Sequence, residues 1–359
     1  MKEEYKYHHV VPEYYLKNFS EDGKGVFVYD KIVSKDFPQS ISKILGIDDF
    51  YRIDEQLIPE NLKGVINPLS IERDFLADDI EYHISEYIKS LIPIFDNLIK
   101  NKHSGISYMI DDGEIEALAI TLFLQYVRTP EMRDYLLNSR NETNKYILSE
   151  LESRFGEGND FIKGLKLQIE RNNELSISPV LYHLSMTFGN DTVIKKIVKD
   201  LCENIWQLYI SDEDYFYTCD SPIILEGFVD GAVIKDIGLN VYGGVITFPL
   251  TKKVLIKVFD KEYYADYKKR DRRIHFVDNQ FVQIENLRQY VWAKRKVVSS
   301  TRNFNLIKEI IEMVGEEVFF EHNLYVSPNN DDYKRIIEKI KTKYGAIMNN
   351  TFRKREIPL

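Results

Sequence analysis

The spacing of apolar residues divides the chain into three regions, and the first is a short mixed opening. In "YKYHHVVPEYYLKNF" the backbone is predicted to be extended up to Pro12, because a proline disfavours helical geometry in the residue before it. A short helix follows from Pro12. An Asp-Gly turn then precedes the alternating strand Val26–Tyr29. The opening is therefore predicted as strand, helix and hairpin.

The second region, from Asn67 onward, has apolar residues at helical spacing. Asn67 is a capping residue type and Pro68 suits a first helical turn. In "QYVRTPEMR", Thr129 is predicted to cap a new helix whose first residue is Pro130, so the chain bends immediately after Arg128. The predicted helices cover 68–100, 112–128, 130–155, 159–173, 178–189 and 190–204.

After Trp206 the spacing shortens to two, which is typical of strands. The runs "WQLYIS", "YFYTC", "PIIL", "GVITFPL" and "KVLIKVF" predict an antiparallel sheet. Helices return at Asn279–Lys296, Phe304–Val314 and Asp331–Tyr344. Because strands and helices are segregated, we predict an α+β fold, with a helical middle region followed by an antiparallel sheet and flanking C-terminal helices. One domain is predicted over 1–300, composed of 1–66, 67–204 and 205–300, with a helical extension over 301–359.

Composition and charge narrow the functional classes. The chain has 359 residues, 44% of them apolar, which indicates a globular protein. The longest apolar run, at 117–127, is too short to span a membrane, the N-terminus has no signal-peptide pattern and only two cysteines occur. We therefore predict a cytoplasmic protein with no membrane partner, and its oligomeric state stays open.

The charge distribution is uneven. The net charge is −9, yet residues 251–300 carry thirteen Lys or Arg against six Asp or Glu. A basic region on an acidic protein can bind a polyanion, so a nucleic acid or nucleotide is one predicted partner. An ordinary solvated surface is the commoner explanation of such a run.

The adjacent histidines His8 and His9 are the first candidates for chemistry. On a strand, neighbouring side chains point to opposite faces, so only one of them can enter a given site. An imidazole in that position could bind a metal ion or act as a general base. A histidine packed in an aromatic core explains the pattern equally well.

Acidic residues are concentrated in "IERDFLADDIEYH". Asp79 and His83 lie four apart, a helical spacing that suits two ligands of one divalent ion. Glu72 and Glu81 are nine apart, which places them on opposite sides of a straight helix. A solvated acidic helix face is the simpler interpretation of most of these residues.

Four further polar residues stand out. Gln125 and Arg128 lie three apart on a very apolar helix, so they either face a buried polar site or extend to solvent at its edge. A site is favoured, because a buried arginine requires an anionic partner. Asp220 in "YTCDSP" ends an aromatic strand, where it is either a turn residue or a ligand. Asn286 lies on a helix face that could line a pocket or pack on the core.

Sequence motifs of several common enzyme classes are missing. We find no phosphate-binding G-x-x-x-x-G-K-[ST], G-x-G-x-x-G, G-x-S-x-G, H-E-x-x-H or paired C-x-x-C. The common nucleotide hydrolases, dinucleotide oxidoreductases, serine esterases and zinc proteases therefore lose support.

The order of the boxes "HHVVPEYYLKNF", "IERDFLADDIE", "LQYVRTP", "YFYTCDSPII", "FPLT" and "IENLRQYVWA" resembles a bacterial family, the domain of unknown function four-two-three-eight. The resemblance covers about residues 7–300. It departs from the family pattern at Val10, where an aromatic is usual, and at Cys219 and Ser221, which replace Ser and Asn. Compared position by position, the resemblance implies that the family's motif residues correspond here to His8, His9, Pro12, Glu72, Glu81, Gln125, Arg128, Asp220, Pro222 and Asn286.

Some members of that family are associated with defence against phages, and the resemblance implies this context here. Our leading hypothesis is an anti-phage effector with a metal-assisted hydrolase or nuclease-like site. Its predicted catalytic residues are His9, Glu81, Gln125, Arg128, Asp220 and Asn286. The predicted ligands of a divalent ion (Mg²⁺, Mn²⁺ or Zn²⁺) are His8, His9, Glu72, Glu81 and Asp220. The alternative is a non-catalytic sensor or interaction module, triggered for example by a phage protein, whose polar residues form a structural network.

Overall fold

The structure is a computed structural model that carries side chains. It describes residues 6–53, 55–57, 60, 63–64, 67–69, 71, 76, 81–102, 108–156, 159–174, 180, 183, 189–213, 215–229, 232–235 and 238–314. The predicted helices over 178–189 and Asp331–Tyr344 lie wholly or mainly outside these residues, as do the side chains of Glu72 and Asp79.

Helices and strands alternate in blocks along the described chain, and the α+β class is confirmed. The helices are α1 Glu13–Lys17, α2 Tyr82–Lys100, α3 Asp112–Val127, α4 Pro130–Phe155, α5 Asp160–Glu174, α6 Asp191–Cys202, α7 Asn279–Trp292 and α8 Asn305–Val314. The strands are β1 Tyr7–His9, β2 Gly25–Asp30, β3 Lys35–Ser40, β4 Gly46–Asp48, β5 Ile205–Ser211, β6 Thr218–Cys219, β7 Ile224–Val229, β8 Ala232–Lys235, β9 Gly244–Thr251, β10 Val254–Phe259, β11 Arg273–Val277 and β12 Lys296–Ser299. No helix among the described residues is long and apolar enough to cross a membrane.

The chain folds into two compact units that are interleaved along the sequence. The first unit contains residues 1–10, 46–80 and 126–195, and the second contains 11–45, 81–125 and 196–359. The domain boundaries predicted from the sequence stay a prediction.

The second unit is built on two sheets. The larger has the strand order β11-β5-β10-β9-β7-β8 and is antiparallel except for the parallel pair β11 and β5. Its central strands β5 and β10 are buried along their whole length, which explains their continuous apolar runs. The smaller sheet has the order β3-β2-β12-β6. Helix α1 is tied to the unit by Tyr15, whose hydroxyl donates to the carbonyl of Pro249 at 2.6 Å.

Two helix boundaries differ from those predicted. The predicted helix Asn279–Lys296 ends at Trp292, because Ala293 adopts extended backbone and Lys296 begins β12. At the other boundary, Asn67 Oδ1 accepts from the amide of Leu69, as a capping asparagine does, but Pro68 and Leu69 lie in a turn and the described α-helix begins only at Tyr82. The predicted start of α4 is confirmed: Thr129 Oγ1 accepts from the amide of Met132 ahead of Pro130.

The first unit contains the pair β1 and β4 and the long helices α4 and α5. Its apolar core includes Val10, Phe50, Tyr51, Ile53, Ile71, Leu76 and Val180. The histidine strand β1 therefore lies beside a core that is rich in aromatic rings.

Candidate functional site

The two histidines differ in burial, as the alternation of a strand requires. His8 is fully buried and His9 is partly exposed. The Nδ1 atom of His8 accepts a hydrogen bond from the amide of Tyr51 at 2.7 Å, and the two rings stack with their centroids 6.1 Å apart. The ring of His9 contacts Tyr7 edge-on at 5.3 Å. One nitrogen of His8 is thus committed to the backbone, which makes His8 a poor general base.

Gly46 permits the close approach of β4 to this strand. A Cβ atom at this position would lie 2.5 Å from Cε1 of Tyr7 and 2.8 Å from the carbonyl oxygen of His8. The amide of Gly46 also donates to the Tyr7 hydroxyl at 2.8 Å. The position of the histidine strand therefore depends on a glycine here.

Arg128 holds the histidine strand from the other side. It is 3% exposed, and its Nη2 atom donates to the carbonyl of His9 at 3.0 Å. Its guanidinium lies 5.9 Å from the ring centre of Tyr51, and its own carbonyl accepts from the Tyr51 hydroxyl at 3.1 Å. The structure thus brings together Arg128 and His9, through the backbone of His9.

Arg133, five residues further on, is a partly buried cation of the same unit. Its guanidinium carbon lies 3.4 Å from the ring centre of Phe50 and 5.6 Å from that of Tyr51. Its Nη2 atom is buried and has no hydrogen-bond partner among the described residues. Burial lowers the pKa of Arg133 to about 10. None of the ion pairs found between described residues includes Arg133, although the charge of nearby Asp134 opposes the lowering of its pKa.

His183 completes this group from a distant part of the sequence. Its Nε2 atom contacts the carbonyl of Val127 at 2.5 Å, and its Nδ1 atom accepts from Arg133 Nε at 3.4 Å. Burial, opposed by the bond to Val127 and aided by the charge of Arg133, lowers the pKa of His183 to about 4. The ring is therefore neutral at pH 7, with its proton on Nε2.

We refer to Phe50, Tyr51, Arg128, Arg133, His8 and His183 as the arginine–histidine cluster. It combines two guanidinium groups and neutral imidazoles with aromatic rings in a largely buried setting. Guanidinium groups bind phosphate and carboxylate with paired donors, and aromatic faces stack on planar groups. The cluster can therefore bind an anion that carries a planar or apolar part.

Asp220 is held by backbone donors of the second unit. Its Oδ1 atom accepts from the amide of Lys294 at 2.9 Å, and its Oδ2 atom accepts from the amides of Arg295 and Lys296, each at 2.8 Å. Burial raises the pKa of Asp220, and these three donors oppose the rise. The carboxylate therefore fixes the turn between α7 and β12.

Asn286 has a comparable role on α7. Its Oδ1 atom accepts from the amide of Tyr217 at 2.6 Å, and its Nδ2 atom donates to the carbonyl of Tyr215 at 3.0 Å. Both ends of the amide are thus engaged by the segment that leads into β6. Asn286 positions that segment, and it also lines a cavity described below.

The remaining predicted residues are distributed between the units. Gln125 is 3% exposed, and its Nε2 atom has no partner among the described residues. Glu81 immediately precedes α2 and is partly exposed. Glu72 lies outside the described residues. Across the described part of the chain, no three His, Cys, Asp or Glu side chains come close enough to hold a metal ion. The predicted metal and catalytic set stays a prediction.

The comparisons with known proteins give one result. The family model "Protein of unknown function (DUF4238)" matches residues 7–303, which is most of the chain. The chain belongs to the DUF4238 family. No curated protein and no solved structure matches this chain.

In this DUF4238 protein, sequence reasoning missed a second polar group that is deeply buried. Lys257 pairs with Glu285 at 2.5 Å, and Arg288 pairs with Glu226, with all four side chains at most 3% exposed. The Nε atom of Arg288 lies 3.6 Å from Glu285. The signal was present in "VLIKVF", where a lysine interrupts an apolar strand. We refer to these four residues as the charged tetrad.

The basic region of this DUF4238 protein is largely neutralised within its own unit. Besides the tetrad, five cations of residues 251–300 form ion pairs with acidic side chains: Lys252 with Glu21, Lys261 with Glu203, Lys268 with Asp271, Arg272 with Asp112 and Arg295 with Asp30. The local excess of charge therefore overstates the free positive surface. Nucleic acid as a partner of this region stays a prediction.

Proposed function

We propose that this DUF4238 protein recognises an anionic, phosphate-bearing ligand, a nucleotide or a nucleic acid, through the arginine–histidine cluster. We propose further that it does so as a recognition component of antiviral defence. The defence context comes from the family resemblance. The ligand class comes from the chemistry of the cluster.

The proposal rests on Arg133, whose Nη2 donor has no hydrogen-bond partner among the described residues. Burying a cation without a hydrogen-bonded anion costs free energy, and the cost is several kcal/mol for an ion taken fully from water. Stacking on Phe50 at 3.4 Å offsets about 2 kcal/mol of such a cost. Arg133 as a whole is partly buried, and we assign its buried Nη2 donor, which has no partner among the described residues, to an anion that the ligand supplies.

The surrounding groups favour phosphate joined to an aromatic base. Arg128 lies against the same Tyr51 ring, so two guanidinium groups flank one aromatic surface. His183 is neutral at pH 7 and orients Arg133 without competing for the anion. A single arginine guanidinium can donate two parallel hydrogen bonds to the oxygens of a phosphate, and aromatic rings stack on nucleic-acid bases.

The sequence left open a metal-assisted hydrolase and a non-catalytic sensor. The contacts of the predicted site residues favour the sensor, which recognises a ligand without cleaving it. His8, Asp220 and Asn286 each use their side-chain acceptors on backbone amides. Such groups are poor general bases and poor metal ligands, because their lone pairs are already engaged. Glu81 and His9, with a divalent ion, remain the residues on which a hydrolytic activity would depend.

The proposal is tested by fluorescence anisotropy with a labelled single-stranded oligonucleotide and a labelled ATP analogue. Arg133→Gln removes the unpaired donor group, so we expect binding to weaken by about 10- to 100-fold. Arg154→Gln is the matched control, because Arg154 lies on the same helix and is exposed beside Glu150. This control should bind as the wild type does.

The same samples distinguish recognition from hydrolysis. They are incubated with Mg²⁺, Mn²⁺ or Zn²⁺, and the probes are analysed for cleavage. Binding without cleavage supports the sensor form. Cleavage that requires His9 and Glu81 would replace it with the hydrolase form. Equal affinities of wild type and Arg133→Gln would remove the role proposed for the cluster.

A further inference from the structure

The second unit contains a polar cavity of about 510 Å³ that is independent of the arginine–histidine cluster. One wall is formed by Tyr215 and Tyr217 ahead of β6, a second by α7 from Asn279 to Asn286, and a third by the start of α8. Its size lies within the range of small-molecule sites, which is about 300–1,000 Å³.

The first wall is fixed by hydrogen bonds before any ligand binds. Asn286 holds the backbone of Tyr215 and Tyr217 with both ends of its amide. The hydroxyl of Tyr217 donates to the carbonyl of Asn303 in the third wall. A cavity with walls joined in this way loses little conformational entropy on binding.

The lining is rich in amides and lacks cations. It contains four asparagines, one glutamine, one threonine and the carboxylates Glu213 and Glu309, with no Lys, Arg or His among its residues. Two lysines lie near the ring of Tyr215, but Lys252 pairs with Glu21 at 2.9 Å and Lys253 donates to the carbonyl of Asp212. Among the residues that the structure describes, no positive group is therefore directed at the cavity to bind a phosphate.

We propose that this cavity binds an uncharged, polyhydroxylated ring, either a saccharide or the ribose of a nucleoside. Side-chain amides both donate and accept hydrogen bonds, and carboxylates accept them, which suits a ligand with several hydroxyl groups. Val282 and Leu306 supply an apolar surface for the face of the ring. The two carboxylates disfavour a phosphate-bearing ligand by like-charge repulsion.

The test is isothermal titration calorimetry of the full chain with maltose, adenosine, AMP and spermidine. All titrations use the Arg133→Gln background, so that phosphate binding at the arginine–histidine cluster cannot contribute. We expect maltose or adenosine to bind, and AMP to bind at least about tenfold more weakly than adenosine. If only maltose binds, the cavity is a saccharide site. If only adenosine binds, it is a nucleoside site.

Two variants on α7 locate the binding. Gln283→Ala removes an amide from the lining and should weaken binding by about tenfold. Gln280→Ala removes the same group from an exposed position of that helix and should leave binding unchanged. The proposal is overturned if no probe binds up to about 10 mM, if AMP binds as tightly as adenosine, if only spermidine binds, or if both variants behave alike.

Discussion

The charged tetrad of the second unit and Arg133 of the first unit differ in how their cations are satisfied. In the second unit the charged tetrad matches Lys257 and Arg288 with two glutamates at ion-pair distance. In the first unit Arg133 is only partly buried and lies on aromatic rings, and its Nη2 atom is a buried donor that lacks a partner among the described residues. A buried cation that is paired inside the protein is part of the fold, because removing either partner is costly. One that is left unpaired is better explained by a partner that comes from outside.

The largest effect is expected at the tetrad. Arg288→Met leaves the carboxylate of Glu226 buried without its partner, so we expect a loss of about 3–5 kcal/mol in the free energy of unfolding, measured in urea. The double variant Arg288→Met with Glu226→Leu removes both charges and should recover most of that loss. A double variant no more stable than the single one would show that the pair is not the cause.

A second effect concerns pH and His183. The unfolded ring binds its proton near pH 6.5, whereas in the folded protein its pKa is lowered to about 4. Between these values the unfolded state binds more protons, so stability falls as the pH is lowered. His183 should account for about 3 kcal/mol of the loss between pH 7 and 4. His183→Gln should remove that part from the urea-unfolding profile, and an unchanged slope would contradict the buried, neutral ring.

A third effect separates a structural from a catalytic role of Asp220. Asp220→Asn replaces an acceptor oxygen with a donor that faces backbone amides, and should cost about 2 kcal/mol of stability. Asp266→Asn, at an exposed position, should change stability by less than about 0.5 kcal/mol. Asp220→Asn with wild-type stability but no activity in a phage-protection assay would restore the catalytic interpretation.

The smallest effect is expected at Arg133 itself. Arg133→Met removes the stacking on Phe50 and the bond to His183, but it also removes a partly buried charge that forms no ion pair with the described residues. These contributions oppose each other, so the free energy of unfolding without ligand should change by less than about 1 kcal/mol. A loss as large as that of Arg288→Met would make Arg133 a structural residue and end the contrast between the units.

Much of the fold follows from local patterns. Period-two runs located β5, β9 and β10, and the Thr-Pro pair located the start of α4. Strand alternation gave the different burial of His8 and His9. By contrast, β12 was missed, because the basic run "AKRK" before it continues the helical pattern while the backbone turns at Ala293.

The candidate site was harder to predict, because its members meet only in three dimensions. Arg133 lies on α4, where the sequence is polar on all sides, and only its contact with Phe50, far away in the chain, distinguishes it. Asp220 and Asn286 were each open to a structural or a functional interpretation, and the sequence does not show which backbone groups engage them. Residue types indicate what chemistry is available, and only the contacts tell which groups are already used.

The central claim, that Arg133 is kept for an external anion, is tested most directly by the unfolding free energy at increasing concentrations of tripolyphosphate. An anion that binds only the folded protein stabilises it by about 2.7 kcal/mol at 100 times its dissociation constant. We predict this gain for the wild type and Arg154→Gln, at constant ionic strength, and its loss in Arg133→Gln. An equal gain in all three proteins, or none in any, would contradict the claim.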